Sequence, residues 1–285
     1  MKNILITGAN GQLGNEMQML SEENSEYTYF FTDVAELDIC NKQAVMDFVR
    51  TNDINVIVNC AAYTAVDKAE ENVELCTKLN ADAVGYLAEA AEANQSEFIQ
   101  LSTDYVFDGT AHVPYQETDP TCPNSAYGST KLAGEQNALT LCSRAMVIRT
   151  AWLYSTFGNN FVKTMIRLGK ERESLGVIFD QVGTPTYARD LARAIFAAIC
   201  QGVVPGVYHF SNEGVCSWYD FTKAIHRLAG ITACQVKPLH TEEYPTAAKR
   251  PHYSVLDKTK IKNTYHIEIP YWMDSLQSCI AELEA

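Results

Sequence analysis

Residues 3–14 read Asn3-Ile4-Leu5-Ile6-Thr7-Gly8-Ala9-Asn10-Gly11-Gln12-Leu13-Gly14, a short apolar run that breaks on a glycine and reopens as a helix. Each glycine at such a junction has its own task. Gly8 allows the tight turn out of the strand, Gly11 lets backbone approach a pyrophosphate, and Gly14 lets the helix pack close to the strand. The helix that opens at Gln12 and Leu13 then offers unpaired N–H groups and its positive dipole end to phosphates, with Asn10 completing the loop. Glycines mark turns everywhere, so the weight of this triplet lies in its place at the first strand-to-helix junction.

Further along the chain the same unit repeats its logic. Strand-like runs at 3–7, 27–32, 55–59, 97–101 and 145–149 alternate with helical patterns at 12–20, 42–51, 72–93 and 127–141. Strands that are apolar throughout and separated by helices predict a doubly wound α/β fold, a parallel sheet covered on both faces. The second half is less regular, with helices expected at 160–171, 188–201 and 217–229 and a strand at 207–210. The Thr-, Tyr- and Pro-rich stretch 239–251 suggests a smaller α/β subdomain on the substrate side. The reading therefore divides the chain into a dinucleotide-binding Rossmann domain over 1–150 and a mainly substrate-binding subdomain over 151–285, with segments free to cross back.

Asp33 lies nineteen residues beyond Gly14, at the end of the second strand. A carboxylate there accepts from the adenosine ribose hydroxyls and disfavours a 2′-phosphate. No arginine follows in 34–42, so NADH is favoured, with NADPH left open. Asp38 and Ile39 are placed to flank the adenine, and Asn59, Cys60, Ala61 and Ala62 to run along the cofactor after the third strand. Turn and packing roles account equally well for these last six.

The bulk composition narrows the possibilities. The chain has 285 residues, 47% hydrophobic and 20% charged, ordinary values for a globular enzyme with a large core. A formal charge of −13 argues against a nucleic-acid partner, which would want a basic face. Nine scattered cysteines, none spaced C-x-x-C, predict reduced core thiols in place of a disulfide framework or zinc ribbon. The start MKNILITGAN lacks the apolar length of a signal peptide, and no stretch reaches the ~20 apolar residues of a membrane span, so a cytoplasmic location is expected.

The chemistry is carried by Tyr127-Gly128-Ser129-Thr130-Lys131. At the start of a helix, residues i and i+4 share a face, so phenol and ammonium converge on one point. A free tyrosine, with a pKa near ~10, exchanges a proton poorly at neutral pH. The nearby ammonium and a positively charged nicotinamide are expected to lower that value, and Lys131 can also hold the nicotinamide ribose. Leu101-Ser102-Thr103-Asp104 ends the fourth strand at the sheet edge where α/β proteins bind ligands. Thr103 is placed to donate to a substrate carbonyl, although a strand-end threonine is also an ordinary cap.

With G-x-x-G-x-x-G, a strand-end Ser-Thr and Y-x-x-x-K in this order, the sequence resembles the extended short-chain dehydrogenase/reductase family. Segments 64–70 (TAVDKAE), 102–109 (STDYVFDG) and 180–186 (DQVGTPT) are similar to its dTDP-4-dehydrorhamnose reductase branch, as are 149–154 (RTAWLY), 159–165 (NNFVKTM), 208–212 (YHFSN) and 244–251 (YPTAAKRP). The resemblance implies NAD(P)H-dependent reduction of the C4 ketone of dTDP-4-dehydro-L-rhamnose, with Tyr127 as proton donor and Thr103 and Lys131 assisting. It further implies that Asp104, Trp152, Val66, Phe107 and Arg250 contact the dTDP-sugar, and that Gly11, Gln12, Leu13, Asp33, Asp38, Ile39, Ala61, Ala62 and Tyr63 contact the cofactor. Trp152 has an equal claim as simple core.

Two departures refine the expectation. Sugar-nucleotide dehydratases of this family place Asp-Glu after the strand-end threonine; here the pair is Asp104-Tyr105, which argues against elimination. Some members use a divalent cation through acids at a subunit contact. Glu16 matches one such position, but Arg189 stands where another acid is expected, so no metal is predicted, and a monomer or homodimer remains open. The alternatives left standing are another sugar-nucleotide epimerase or reductase of the family and a non-catalytic regulatory subunit of the same fold.

Overall fold

The computed structural model describes residues 2–284. Its first half builds β1 (Asn3–Thr7), α1 (Gln12–Ser21), β2 (Thr28–Thr32), α2 (Lys42–Thr51), β3 (Val56–Asn59), the short α3 (Val66–Ala69) and α4 (Val73–Thr77), α5 (Ala83–Ala93), β4 (Glu97–Thr103), α6 (Ala126–Leu141) and β5 (Ala145–Thr150). The second half adds β6 (Leu153–Tyr154), α7 (Phe161–Glu171), β7 (Ser174–Ile178), β8 (Val182–Gly183), β9 (Thr186–Tyr187), α8 (Ala188–Gln201), β10 (Gly206–His209), β11 (Cys216–Ser217), α9 (Trp218–Leu228), β12 (Gln235–Leu239), α10 (Thr259–Tyr265) and α11 (Trp272–Glu284).

Six strands pair in parallel in the order β2-β1-β3-β4-β5-β10. Because side chains alternate along a strand, Ile4, Ile6, Val58, Ile99 and Ile148 meet α1 and α8 on one face. Leu5, Ile57, Phe98 and Val147 meet α2, α5 and α6 on the other. Burial on both faces explains why these strands read as unbroken apolar runs. The chain leaves β1 toward β2 and then crosses back to β3, so the strand order switches between β1 and β3, and α/β sheets bind ligands in the crevice at such a point.

One feature fills in what the sequence reading left open, and two depart from it. Residues 188–209 return to the first unit: α8 packs on the sheet and β10 extends it beside β5. A single cut at Thr150 therefore does not separate two continuous units. The helix expected over 72–93 is interrupted by a π turn at Lys78–Asp82, with its cause in the site described below. The second half also contains parallel β7 and β12 and the terminal helix α11, which close a separate core around Phe221, Leu276 and Ile280. Short strands and helices without clear periodicity left them unread.

The nine cysteines are unpaired; five are buried, while Cys122 and Cys200 are exposed rather than in the core. Among the described residues no helix is long and apolar enough to cross a membrane.

Candidate active site

At the C-terminal ends of β1, β3 and β4 the sheet is stitched by polar side chains. Thr7 Oγ1 donates to Asn59 Oδ1 (2.6 Å), Asn59 Nδ2 donates to Gln100 Oε1 (2.7 Å), and Gln100 Nε2 donates to the Leu101 carbonyl (2.7 Å). Asn59 is thus spent on holding the strands together, whereas Cys60, Ala61 and Ala62 line the cleft above them.

That cleft, about 1350 Å³, runs from the glycine loop to β7 and β12. Gly8 sits at φ +64°, and a Cβ there would lie 2.6 Å from the Ala61 nitrogen. A Cβ on Gly14 would lie 2.4 Å from the Gly8 carbonyl oxygen, so α1 can start this close to β1 only without a side chain. Gly11 is the N-cap of α1 and supplies no side-chain cap. The first N–H groups of α1 therefore face the cleft with their donors available, a fitting cradle for a pyrophosphate. Asp33 Oδ2 accepts from the Asn10 N–H (3.2 Å) and its Oδ1 from the Val34 N–H (2.8 Å), which fixes the carboxylate beside the loop. Gln12, Leu13, Asp38 and Ile39 line the same end of the cleft. Asn10, Gly14 and Tyr63 do not line it; they shape the backbone behind it.

Helix α6 begins with Ser125, whose hydroxyl accepts from the Gly128 N–H (3.1 Å). Tyr127 and Lys131 then lie one turn apart and both line the cleft, with Thr103 opposite. Thr103 Oγ1 accepts from the Tyr105 N–H (3.2 Å) and donates to Asp104 Oδ1 (2.9 Å), and its hydroxyl lies near enough to Tyr127 to oppose the rise of the phenol pKa. The threonine is thus both the strand-end cap and a member of the site. Lys131 Nζ donates to the Leu101 carbonyl (2.6 Å). Burial pushes its pKa down to about 8, opposed by the Glu135 carboxylate.

Without a nicotinamide cation beside it, the Tyr127 phenol is not lowered in pKa by Lys131. Burial is the largest influence on the phenol and pushes its pKa above the ordinary value, and the Asp104 carboxyl adds to the rise. The ammonium of Lys131 is engaged by Leu101 in place of the phenol.

Burial also pushes Asp104 up to about 6, opposed by the Thr103 and Ser254 hydroxyls, and its buried Oδ2 has no hydrogen-bond partner among the described residues. Tyr105, where a dehydratase would carry its second carboxylate, instead lies edge-on to Tyr127 with ring centroids 5.5 Å apart. Val66 and Arg250 line the cleft. Arg250 binds Asp67 of α3 in a two-pronged pair, 2.8 and 3.0 Å, which lowers the Asp67 pKa. Trp152 lines the cleft with φ +49° and stacks on Trp218 at 3.5 Å between centroids. Left-handed backbone at so bulky a residue is strained, and strain of this kind collects at functional sites. Phe107 does not reach the cleft: it is buried against Tyr115 (4.1 Å, stacked), beneath the guanidinium of Arg149.

Sequence reasoning missed Asn80. Its Oδ1 accepts from the Tyr63 N–H (2.8 Å), and its Nδ2 donates to the Tyr63 carbonyl and to Thr130 Oγ1 on α6. The π turn brings this residue against α6 so tightly that a Cβ on Gly134 would lie 2.0 Å from the Asn80 carbonyl oxygen. A π turn inside a helix commonly marks such a functional contact. Trp218 and Phe161 were missed as well: Trp218 heads a helix with no motif around it, and Phe161 stands in a segment (159–165) read for its resemblance without a role for the ring.

Glu16 does not offer a cation site. It is fully buried, accepts from Ser155 Oγ (2.6 Å) and from Arg189 Nε (2.8 Å), and Arg189 also binds Glu282. A guanidinium already stands between the two carboxylates, so this donor set does not fit a divalent metal. Among the described residues no group of three His, Cys, Asp or Glu is placed to hold one.

The chain matches the family model described as "RmlD substrate binding domain" over residues 1–285. It is 42% identical to a dTDP-4-dehydrorhamnose reductase of Aggregatibacter actinomycetemcomitans, covering the whole of both chains. The crystal structure of a dTDP-4-dehydrorhamnose reductase from Clostridium acetobutylicum superposes with TM-score 0.95 at 47% identity, over 99% of this chain and 100% of that one. The Bacillus anthracis dTDP-4-dehydrorhamnose reductase in complex with NADP gives TM-score 0.94 at 40% identity, over 99% and 100%. The chain belongs to the dTDP-4-dehydrorhamnose reductase family, within the extended short-chain dehydrogenase/reductases.

Proposed function

We propose that this protein reduces the C4 ketone of dTDP-4-dehydro-L-rhamnose to the alcohol of dTDP-L-rhamnose, using NADH or NADPH. The observation that supports the reading is that Thr103, Tyr127 and Lys131 all line the cleft that the glycine loop opens. In this reading Gly8, Gly11, Gln12 and Leu13 hold the pyrophosphate at the α1 N-terminus, and Asp33 binds the adenosine ribose. The reduced nicotinamide, when bound, supplies the hydride. Lys131 holds the nicotinamide ribose, Thr103 orients the carbonyl, and Tyr127 gives its phenolic proton to the C4 oxygen as the C–H bond forms, leaving a phenolate to be reprotonated. Asp104, whose Oδ2 has no hydrogen-bond partner among the described residues, accepts from a sugar hydroxyl, and Trp152, Val66 and Arg250 shape the rest of the substrate site.

Supporting the division of labour, we assign residues 1–150 together with 188–209 to the dinucleotide unit and the remainder of 151–285 to the substrate unit. We place the enzyme in the cytoplasm as a monomer or homodimer, with no nucleic-acid partner. The test supplies purified protein with enzymatically generated dTDP-4-dehydro-L-rhamnose and follows loss of nicotinamide absorbance. Turnover that depends on the keto sugar is expected. No turnover with that sugar would refute the substrate assignment.

A further inference from the structure

Tyr127 and Lys131 are spaced by one turn of α6, and the next residue on that face is Glu135. Its carboxylate is 2% exposed, against the apolar sheet, where a charge is tolerated only if it is paired and hydrogen-bonded. Arg149 of β5 supplies the pairing: Nε lies 3.0 Å from Oε1 and Nη2 lies 2.7 Å from Oε2. Ser102 Oγ donates to Oε1 from the end of β4. Arg149 is itself buried, with its guanidinium 5.1 Å from the centre of the Phe107 ring and Nη1 3.5 Å from His209 Nε2. Burial pushes His209 down to about 3, so that ring is neutral and adds no charge.

The consequence lies in which residues of β4 are held. The Leu101 carbonyl takes the Lys131 ammonium, and the hydroxyl of the next residue, Ser102, is tied to Glu135. Thr103 follows directly. Two successive turns of α6 thus grip two successive residues of the strand that presents Thr103. The charged and titratable groups that act on Lys131 are Glu135 on its own helix and Cys76 from α4, with Arg149 paired to Glu135. Glu135 supplies the negative charge that favours its ammonium most strongly.

We propose that Glu135 is a positioning residue for the reaction: with Arg149 and Ser102 it clamps the end of β4 to α6, and its negative charge favours the Lys131 ammonium. The inference rests on Tyr127 and Lys131 being the catalytic pair.

Glu135→Gln alone strands a buried guanidinium, so the main variant is the charge-neutral Glu135→Gln/Arg149→Met, with Ser102→Ala as the second. Both are compared with wild type and Tyr127→Phe in keto-sugar-dependent turnover across pH, alongside thermal melting. For the folded double variant we expect kcat to fall about tenfold or more with KM little changed, since misplacing reacting groups costs rate before it costs binding. The alkaline limb of its kcat profile should move to lower pH, because burial of Lys131 is then opposed less. Ser102→Ala should lower kcat several-fold without moving that limb. A folded double variant with wild-type kcat and an unmoved limb overturns the proposal. If the double variant does not fold, unchanged kcat in Ser102→Ala overturns it. Inactive wild type, or fully active Tyr127→Phe, would instead refute the underlying site.

Discussion

Gly134→Ala tests whether the contact between α6 and the π turn sets the position of the catalytic pair. In a helix interior this change ordinarily stabilises by about 1 kcal/mol, because glycine costs more backbone entropy. Here the new Cβ would lie 2.0 Å from the Asn80 carbonyl oxygen, whereas real Cβ contacts essentially never fall under 3.0 Å. Helix and turn must separate by about 1 Å or more, and overpacking of this kind costs roughly 1–3 kcal/mol, enough to cancel the helical gain. The same displacement shifts Tyr127 and Lys131 relative to the glycine loop, and a misplacement near 1 Å is worth about 100-fold in rate, or about 2.7 kcal/mol of barrier. Gly85→Ala is the internal control: its Cβ would meet Asn137 and Leu141 side chains at 3.5 Å, an ordinary contact. Turnover of the keto sugar nucleotide and thermal melting are measured for both. Gly134→Ala should lose most of its kcat and should not gain Tm, whereas Gly85→Ala keeps its kcat with equal or higher Tm. If Gly134→Ala keeps kcat within about threefold and melts higher, in line with helix propensity alone, the positional reasoning is wrong.

Tyr127→Phe, which removes the phenolic proton and little volume, should reduce kcat about 100-fold or more with KM largely kept; near-normal turnover would dismiss the phenol as donor. Asp33→Asn should shift the NADH/NADPH ratio of kcat/KM toward NADPH, and an unchanged ratio would show that the carboxylate does not read the ribose. Asp104 has a folded-state pKa raised to about 6, so the folded protein binds that proton more tightly than the unfolded chain, and the associated stability is present below the unfolded value and lost as pH rises through 6. Asp104→Asn should therefore raise stability at pH above that range, by on the order of 2 kcal/mol, with the gain vanishing in acid while turnover falls. A melting difference that does not depend on pH would contradict this.

The sheet was legible because its physics is local. Apolar strands 3–7, 55–59 and 97–101 announce burial on both faces, and the glycines at 8, 11 and 14 are required by contacts with backbone only a few residues or one strand away. Tyr127 and Lys131 were legible for the same reason, since helical spacing alone brings them together. What stayed hidden depends on partners distant in sequence. Asn80 matters through Tyr63 and Thr130, and no periodicity marks a π turn. Glu135 reads as one more polar helix residue until Arg149 and Ser102 close around it. Phe107 was assigned to the substrate by its motif, yet the ring turns inward to Tyr115, a choice made by tertiary packing. Spacing likewise gives Tyr127 its Lys131 neighbour but not the depth of burial that pushes the phenol pKa up.

The stacking of Trp152 on Trp218 has an optical consequence. The protein has three tryptophans, and two of them form one parallel pair in the cleft wall, their planes within 12°. The third, Trp272, is buried beside Phe221. Two indoles so close share their excited states, so they absorb and emit as a coupled unit. One ring belongs to the strained segment after β5 and the other heads α9, so any relative movement of those elements alters the coupling. Such a change would be readable as a near-ultraviolet dichroism signal without a label.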